Sequence, residues 1–144
     1  MTAWLEKHHV GAEGAEWSLS FFHRVSLAGR IFWFYLQKLV WPVPLNFVYP
    51  RWDVAAWGPA GLMLPLSVAL LVAGLWFARG RIGRGPLVAA GLYLITLAPA
   101  LGFVNVYPMR YSFVADHFQY LAGIGPLTLL GALLFRAGRR LGRW

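Results

Sequence analysis

Three stretches of the chain run long without a formal charge: residues 54–78 and 85–109, each 25 residues, and residues 118–135, 18 residues. About 20 apolar residues in a helix cover the ~30 Å hydrocarbon core of a bilayer, so each stretch predicts a transmembrane helix. The spans are expected at about 57–78, 86–103 and 118–135, with Pro65, Pro99 and Pro126 inside them tolerated because neighbouring helices satisfy the freed backbone groups. Residues 25–41 carry a different pattern, in which Arg30, Gln37 and Lys38 recur about two turns apart on a background of Phe32, Trp33, Phe34 and Tyr35. That pattern predicts an amphipathic helix lying in the membrane interface, with Arg30 and Lys38 snorkelling to head groups; a fourth span is the rival reading. The expected fold is therefore all-α integral membrane, with about three transmembrane helices plus an N-terminal interfacial amphipathic helix. Its parts are a polar N-terminal segment (1–23), the interfacial helix with an outer-face loop (24–56), and a membrane domain (57–144).

Composition agrees with the pattern: 59% of the 144 residues are hydrophobic and 12% are charged, against roughly 25% charged in soluble domains. The net charge of +8 suits either nucleic acid or an anionic membrane surface, and placement decides between them. Arg79, Arg81 and Arg84, and then Arg136, Arg139, Arg140 and Arg143, each follow an apolar run, as the positive-inside rule expects. Nucleic acid is accordingly not an expected partner. The spans then run inward, outward and inward, the C-terminus is cytoplasmic, and residues 42–56 and 104–117 share the outer face. Trp41, Tyr49, Trp52, Trp57, Tyr107, Tyr111 and Tyr120 fall near span ends as an aromatic belt would, and Gly102, Gly123, Gly125 and Gly131 suit close helix approach. Met1 to Val10 lacks the apolar core of a cleavable signal peptide, so insertion is expected to rely on the internal spans.

Candidate chemistry gathers at the outer face. Residues 105–120 hold one of only two Asp residues in the chain, together with Arg110 and His117. Arg110 lies on the side where topology does not ask for cations, and its planar fork suits a lipid phosphate or pyrophosphate; a salt bridge to Asp116 is the structural alternative. Two readings are open for Asp116, a cap at the start of the third span or part of a polar face, with His117 and Tyr120, that points into the bundle. His117 suits a general base or a hydrogen-bond donor to sugar or phosphate. In residues 42–53, Pro42, Pro44 and Pro50 exclude a continuous helix and predict a shaped loop. There Arg51 either pairs with Asp53 or binds a lipid phosphate beside Tyr49 and Trp52. The chain has no cysteine, no Gly-rich phosphate loop and no close carboxylate pair. His8, His9 and Glu13 lack metal-site spacing, so no metal is expected.

Two stretches, residues 29–52 and residues 115–125 (Ala-Asp-His-Phe-Gln-Tyr-Leu-Ala-Gly-Ile-Gly), resemble the later membrane region of bacterial proteins similar to the transmembrane and tetratricopeptide-repeat O-mannosyltransferases. Those belong to the polyprenyl-phosphate-sugar-dependent, multi-pass glycosyltransferases called GT-C. The resemblance implies transfer of a sugar from a lipid-phosphate donor at the outer face of a bacterial inner membrane. Tyr49, Pro50, Arg51 and Trp52 match the first motif, and Asp116, His117, Tyr120 and Gly125 match the second. It implies donor binding or loop architecture for these residues, with Arg110 beside them. The family's catalytic acidic residue lies in an early outer loop that has no counterpart here, so the catalytic residue is unassigned. The expectation is a fragment that is incomplete alone. Its partners would be membrane lipids, the polyprenyl-phosphate sugar donor, and missing N-terminal spans or another membrane subunit. A non-catalytic membrane interaction module is the alternative.

Overall fold

The computed structural model describes residues 19–46, 48–104, 107–140 and 142, so the His8, His9 and Glu13 reading and most of the polar N-terminal segment lie outside the described residues. Every regular element among the described residues is helical. Four α-helices follow one another: α1 (Phe21–Val40), α2 (Met63–Ile82), α3 (Gly85–Leu97) and α4 (Ile124–Arg140). Short 3-10 turns fill the connections at Ala55–Leu62, Ala98–Ala100, Tyr107–Arg110 and Asp116–Gln119.

Capping and proline set these boundaries. The Ser20 hydroxyl accepts the His23 N–H at 3.3 Å, which starts α1 four residues before the expected position. At its other end Trp41 donates its N–H to the Gln37 carbonyl at 2.8 Å, and Pro42 and Pro44 prevent continuation. The prolines expected inside spans stand instead at helix ends. Pro65 occupies the first turn of α2, where no intrahelical N–H is needed. Pro99 lies in the 3-10 turn after α3, which stops at Leu97 because Pro99 has no N–H to continue the i→i−4 ladder. Pro126 is in the first turn of α4, and its ring would clash with the carbonyl four residues upstream, so residues 118–123 cannot extend that helix.

These boundaries shorten two of the three expected spans. At 1.5 Å per residue α3 is ~20 Å long and α4 ~26 Å, while α2 matches the ~30 Å core. Ala55–Ile82 is the one helical stretch among the described residues long and apolar enough to cross a membrane. It bends at Gly58, whose φ of +51° is a left-handed conformation that favours glycine. Arg79 and Arg81 close α2, and Arg139 and Arg140 close α4, where cations oppose the negative end of the helix dipole.

The core forms around α1. Leu27, Ile31 and Tyr35, spaced four apart, are wholly buried, with Phe32 and Ala28 beside them. The side chain of α1 that meets α2 most closely is none at all: Gly29 rests against Pro65, and Trp33 donates its indole N–H to Ser67 Oγ at 2.8 Å. On the α3 side, Phe32 packs edge-on against Tyr93, whose hydroxyl donates to the Phe32 carbonyl at 2.9 Å. Arg24 donates to the Gly102 carbonyl at 2.9 Å, and Leu27 lies against Gly102. Thus α1 meets the first turns of α2, the last turns of α3 and the segment just beyond α3, at one end of the helical hairpin. One expected detail changes: Lys38 does not snorkel outward but is 9% exposed, folded back so that its ammonium donates to the Pro44 carbonyl. The aromatic rings of Phe34 and Tyr49, 5.7 and 5.3 Å from that nitrogen, make the inward position favourable.

Tyr35 ties this core to the distant loop. Its hydroxyl donates to the Ala115 carbonyl at 3.0 Å and accepts the Ala115 N–H at 2.9 Å, and both residues are buried. Tyr35→Phe would leave two backbone groups without partners and is expected to cost about 2 kcal/mol, read as a lowered thermal midpoint in detergent. An unchanged midpoint would mean that water replaces the hydroxyl.

Away from α1 the helices stay uncovered. No residue of α2 is buried, and Leu70 and Phe77 are 64% and 84% exposed. Leu127, Leu130, Leu133 and Leu134 are likewise exposed on α4. A helix that is apolar all round and unburied in its own protein needs an apolar surround.

Candidate functional site

The loop after α1 and the loop before α4 are locked together by a small set of polar groups. Tyr49 stands at the centre, buried, with its ring edge-on to Phe34 at 5.0 Å. Its backbone N–H donates to Ser112 Oγ at 3.3 Å, and Ser112 in turn donates to the Val114 carbonyl at 2.6 Å. The Tyr49 hydroxyl lies 3.1 Å from both carboxylate oxygens of Asp116 and 3.1 Å from the Pro44 carbonyl. One hydroxyl proton cannot serve all three, and the ionised carboxylate is the stronger acceptor. Pro44 keeps the Lys38 ammonium as its donor. Asn46 completes the knot, giving its backbone N–H to Asp116 Oδ2 at 2.6 Å and to the Tyr49 hydroxyl oxygen at 3.2 Å. The Val43–Pro44 peptide is cis.

Asp116 therefore does not cap a long helix. It opens the short 3-10 turn Asp116–Gln119, and its carboxylate reaches across 70 positions of sequence to Asn46. This replaces the expectation of a polar face pointing into the bundle: Asp116 is half-buried, while His117 and Tyr120 are exposed. The His117 ring lies edge-on to Phe118 at 4.4 Å. Arg110 ends the turn Tyr107–Arg110 and is exposed as well. Gln119 is buried, and its Oε1 has no hydrogen-bond partner among the described residues.

Beside this knot lies a cleft of about 300 Å³ lined by Leu19, Arg51, Trp52, Asp53, Val54 and Phe113. The Arg51 guanidinium sits 5.0 Å from the centre of the Phe113 ring, which links the two loops a second time. Asp53 Oδ1 accepts the Ala56 N–H at 3.4 Å, so it caps the turn that leads to α2. Trp52 packs on Phe34 at 5.5 Å, and Arg30 reaches to within 5.1 Å of the Trp52 ring and 4.7 Å of the Trp57 ring. The cleft thus offers a guanidinium for an anion, a carboxylate for hydroxyl groups and an indole for an apolar ring face.

Of the candidates read from the sequence, Tyr49 and Asp116 come into direct contact, and Arg51 and Trp52 line one cleft. Arg110, His117 and Tyr120 occupy the outside of the second loop. Asn46 and Ser112 carry no signal of their own in the sequence, although both lie inside or next to the motifs, and Lys38 is expected there only as an outward-facing cation. No three His, Asp or Glu side chains converge among the described residues. Comparison with protein-family models, with curated proteins and with solved structures finds no match to this chain.

Proposed function

We propose that the chain is the membrane part of a glycosyltransferase that takes a sugar from a lipid-phosphate donor at the outer membrane face. The observation that carries this reading is the cleft of Arg51, Trp52, Asp53 and Phe113, built on the two loops and set beside helices whose apolar sides are uncovered. In this reading α2, α3 and α4 enter the bilayer, the two shorter helices being completed by their flanking turns and by neighbouring spans. Arg51 and Arg110 hold the donor phosphate, Trp52 faces the sugar ring, and Asp53 accepts from its hydroxyls. Asp116 is a positioning residue, because its carboxylate is occupied by Asn46 and Tyr49. The base that activates the acceptor is not assigned to any residue of this chain.

The test is transfer from a polyprenyl-phosphate sugar in membranes carrying the whole protein. Arg51→Ala and Arg110→Ala are each expected to lower transfer about tenfold to a hundredfold, the loss of a charge-assisted bond worth roughly 1.5–3 kcal/mol, with insertion and abundance unchanged. Normal transfer by both variants would overturn the reading. A second reading, a non-catalytic membrane module, is favoured by the engagement of both Asp116 and Lys38 in loop architecture. It predicts recovery of a stable membrane partner with the chain and no transfer by any variant or by wild type.

A further inference from the structure

We propose that Arg136, Arg139 and Arg140 on α4 form a binding site for the phosphate of an anionic phospholipid head group, on the opposite membrane face from the loops. This rests on the membrane part of the reading above and not on sugar transfer. The three residues stand at positions i, i+3 and i+4, so their side chains share one face of the helix. Together they line a cleft of about 310 Å³.

Three guanidinium groups within a turn and a half repel one another, and α4 carries no acidic side chain among its described residues to offset them. The acidic residues among those described are Asp53 and Asp116, both committed to the loops through Ala56, Asn46 and Tyr49. The helix C-terminus favours cations only by a few tenths of a kcal/mol to about 1 kcal/mol, which places charge there without gathering it into a cleft. Arg79, in the other basic cluster, is used differently: its guanidinium lies 3.8 Å from the Trp76 ring centre and donates to the Trp76 carbonyl at 3.0 Å. That arginine is folded onto its own helix, whereas Arg136, Arg139 and Arg140 open onto a shared space.

The rest of α4 argues for a lipid as the source of the anion. Leu127, Leu130, Leu133, Leu134 and Phe135 are all exposed, and they lead without interruption to Arg136. Those apolar turns would lie among acyl chains, which sets the arginines that follow them at the depth of the head groups, where a planar fork can bind phosphate oxygens in pairs. A soluble phosphate would use the cleft but not the apolar turns before it, and neither would a nucleic acid use those turns.

The test uses the full chain purified in neutral detergent. Thermal unfolding is followed on adding phosphatidylglycerol or phosphatidylcholine to the micelles, with glycerol 3-phosphate, inorganic phosphate and a short oligonucleotide as further arms. Phosphatidylglycerol is expected to raise the midpoint by about 5 °C over phosphatidylcholine, with the difference shrinking at high salt. The variant R136Q/R139Q/R140Q is expected to lose most of that difference, while R79Q/R81Q/R84Q keeps it. Should the first variant fail to fold, R136K/R139K/R140K, which retains charge but not the fork, is expected to halve the difference at least. An undiminished difference in the glutamine variant, or in the lysine variant when only that one folds, would overturn the proposal. So would an equal shift from free phosphate, or tighter binding of the oligonucleotide than of the lipid. Recovery of the wild-type chain in the soluble fraction without detergent would defeat the membrane reading itself, whatever the lipid result.

Discussion

Gly29→Leu is expected to abolish the packing of α1 on α2 and to lower stability by about 3 kcal/mol or more. A Cβ at this position would fall on the backbone nitrogen and ring Cδ of Pro65 and come within 2.7 Å of its Cα. Neither group can yield by a rotamer change, since one is backbone and the other a ring fused to it. The helices must separate, and separation breaks the Trp33–Ser67 bond and opens the contact of Phe32 with Tyr93. Overpacking typically costs 1–3 kcal/mol, and a backbone clash that moves a helix belongs at or above the top of that range. Gly74→Leu is the control, because a side chain there meets nothing within 4 Å. Protease sensitivity and the thermal midpoint in detergent should change for the first variant and not for the second. Equal behaviour of the two would show that α1 does not rest on Pro65.

Asp116→Ala is expected to release the two outer loops from each other, at a cost of about 2 kcal/mol. It leaves the Asn46 N–H and the Tyr49 hydroxyl without their charged acceptor, and bonds to charged groups are worth roughly 1.5–3 kcal/mol. Because Asp116 is half-buried, water recovers part of the loss. The decisive measurement is a double-mutant cycle. Tyr49→Phe and Asp116→Ala should each destabilise, and the pair should cost less than the sum by about 1 kcal/mol. Strict additivity would mean that the hydroxyl and the carboxylate do not interact. In a transfer assay both variants should lose activity together with the loop's resistance to protease, which separates a positioning role from contact with the reacting atoms.

The apolar runs made the existence of the helices legible, and the proline positions explain where that reading overreached. A run without charge says that a segment tolerates an apolar surround; it does not say that the backbone is helical throughout. Residues 98–104 and 118–123 are as free of formal charge as a span, yet Pro99 and Pro126 confine the α-helices to one side of them. A charge on an amphipathic helix normally faces water, so the pattern of α1 predicts Lys38 outward. Its inward turn depends on Pro44 and Tyr49, which lie beyond the helix and outside any periodic pattern. The same holds for the site. Asp116 was visible as a rare acidic residue, but its partners are 67 and 70 positions away, a pairing that no local spacing encodes. Of the glycines expected at close approaches, Gly125 meets the Ala89 carbonyl and Gly102 meets Leu27, whereas Gly131 meets nothing and Gly29, the tightest of all, was not marked.

The order in which the chain is made gives the central position of α1 a further meaning. Its bonds to Gly102 and Ala115 span 78 and 80 positions, so α1 emerges from the ribosome well before the groups that hold it. At roughly 5–20 residues per second that interval is on the order of 4–16 seconds. Until then Tyr35 lacks its partner at Ala115 and Leu27 its contact with Gly102, although Pro65 and Tyr93 are already available to α1. A helix that can meet Pro65 early thus completes its packing only when the second loop arrives. A lesion at Gly29 should then appear in cells as a protein that inserts normally and is degraded before it matures.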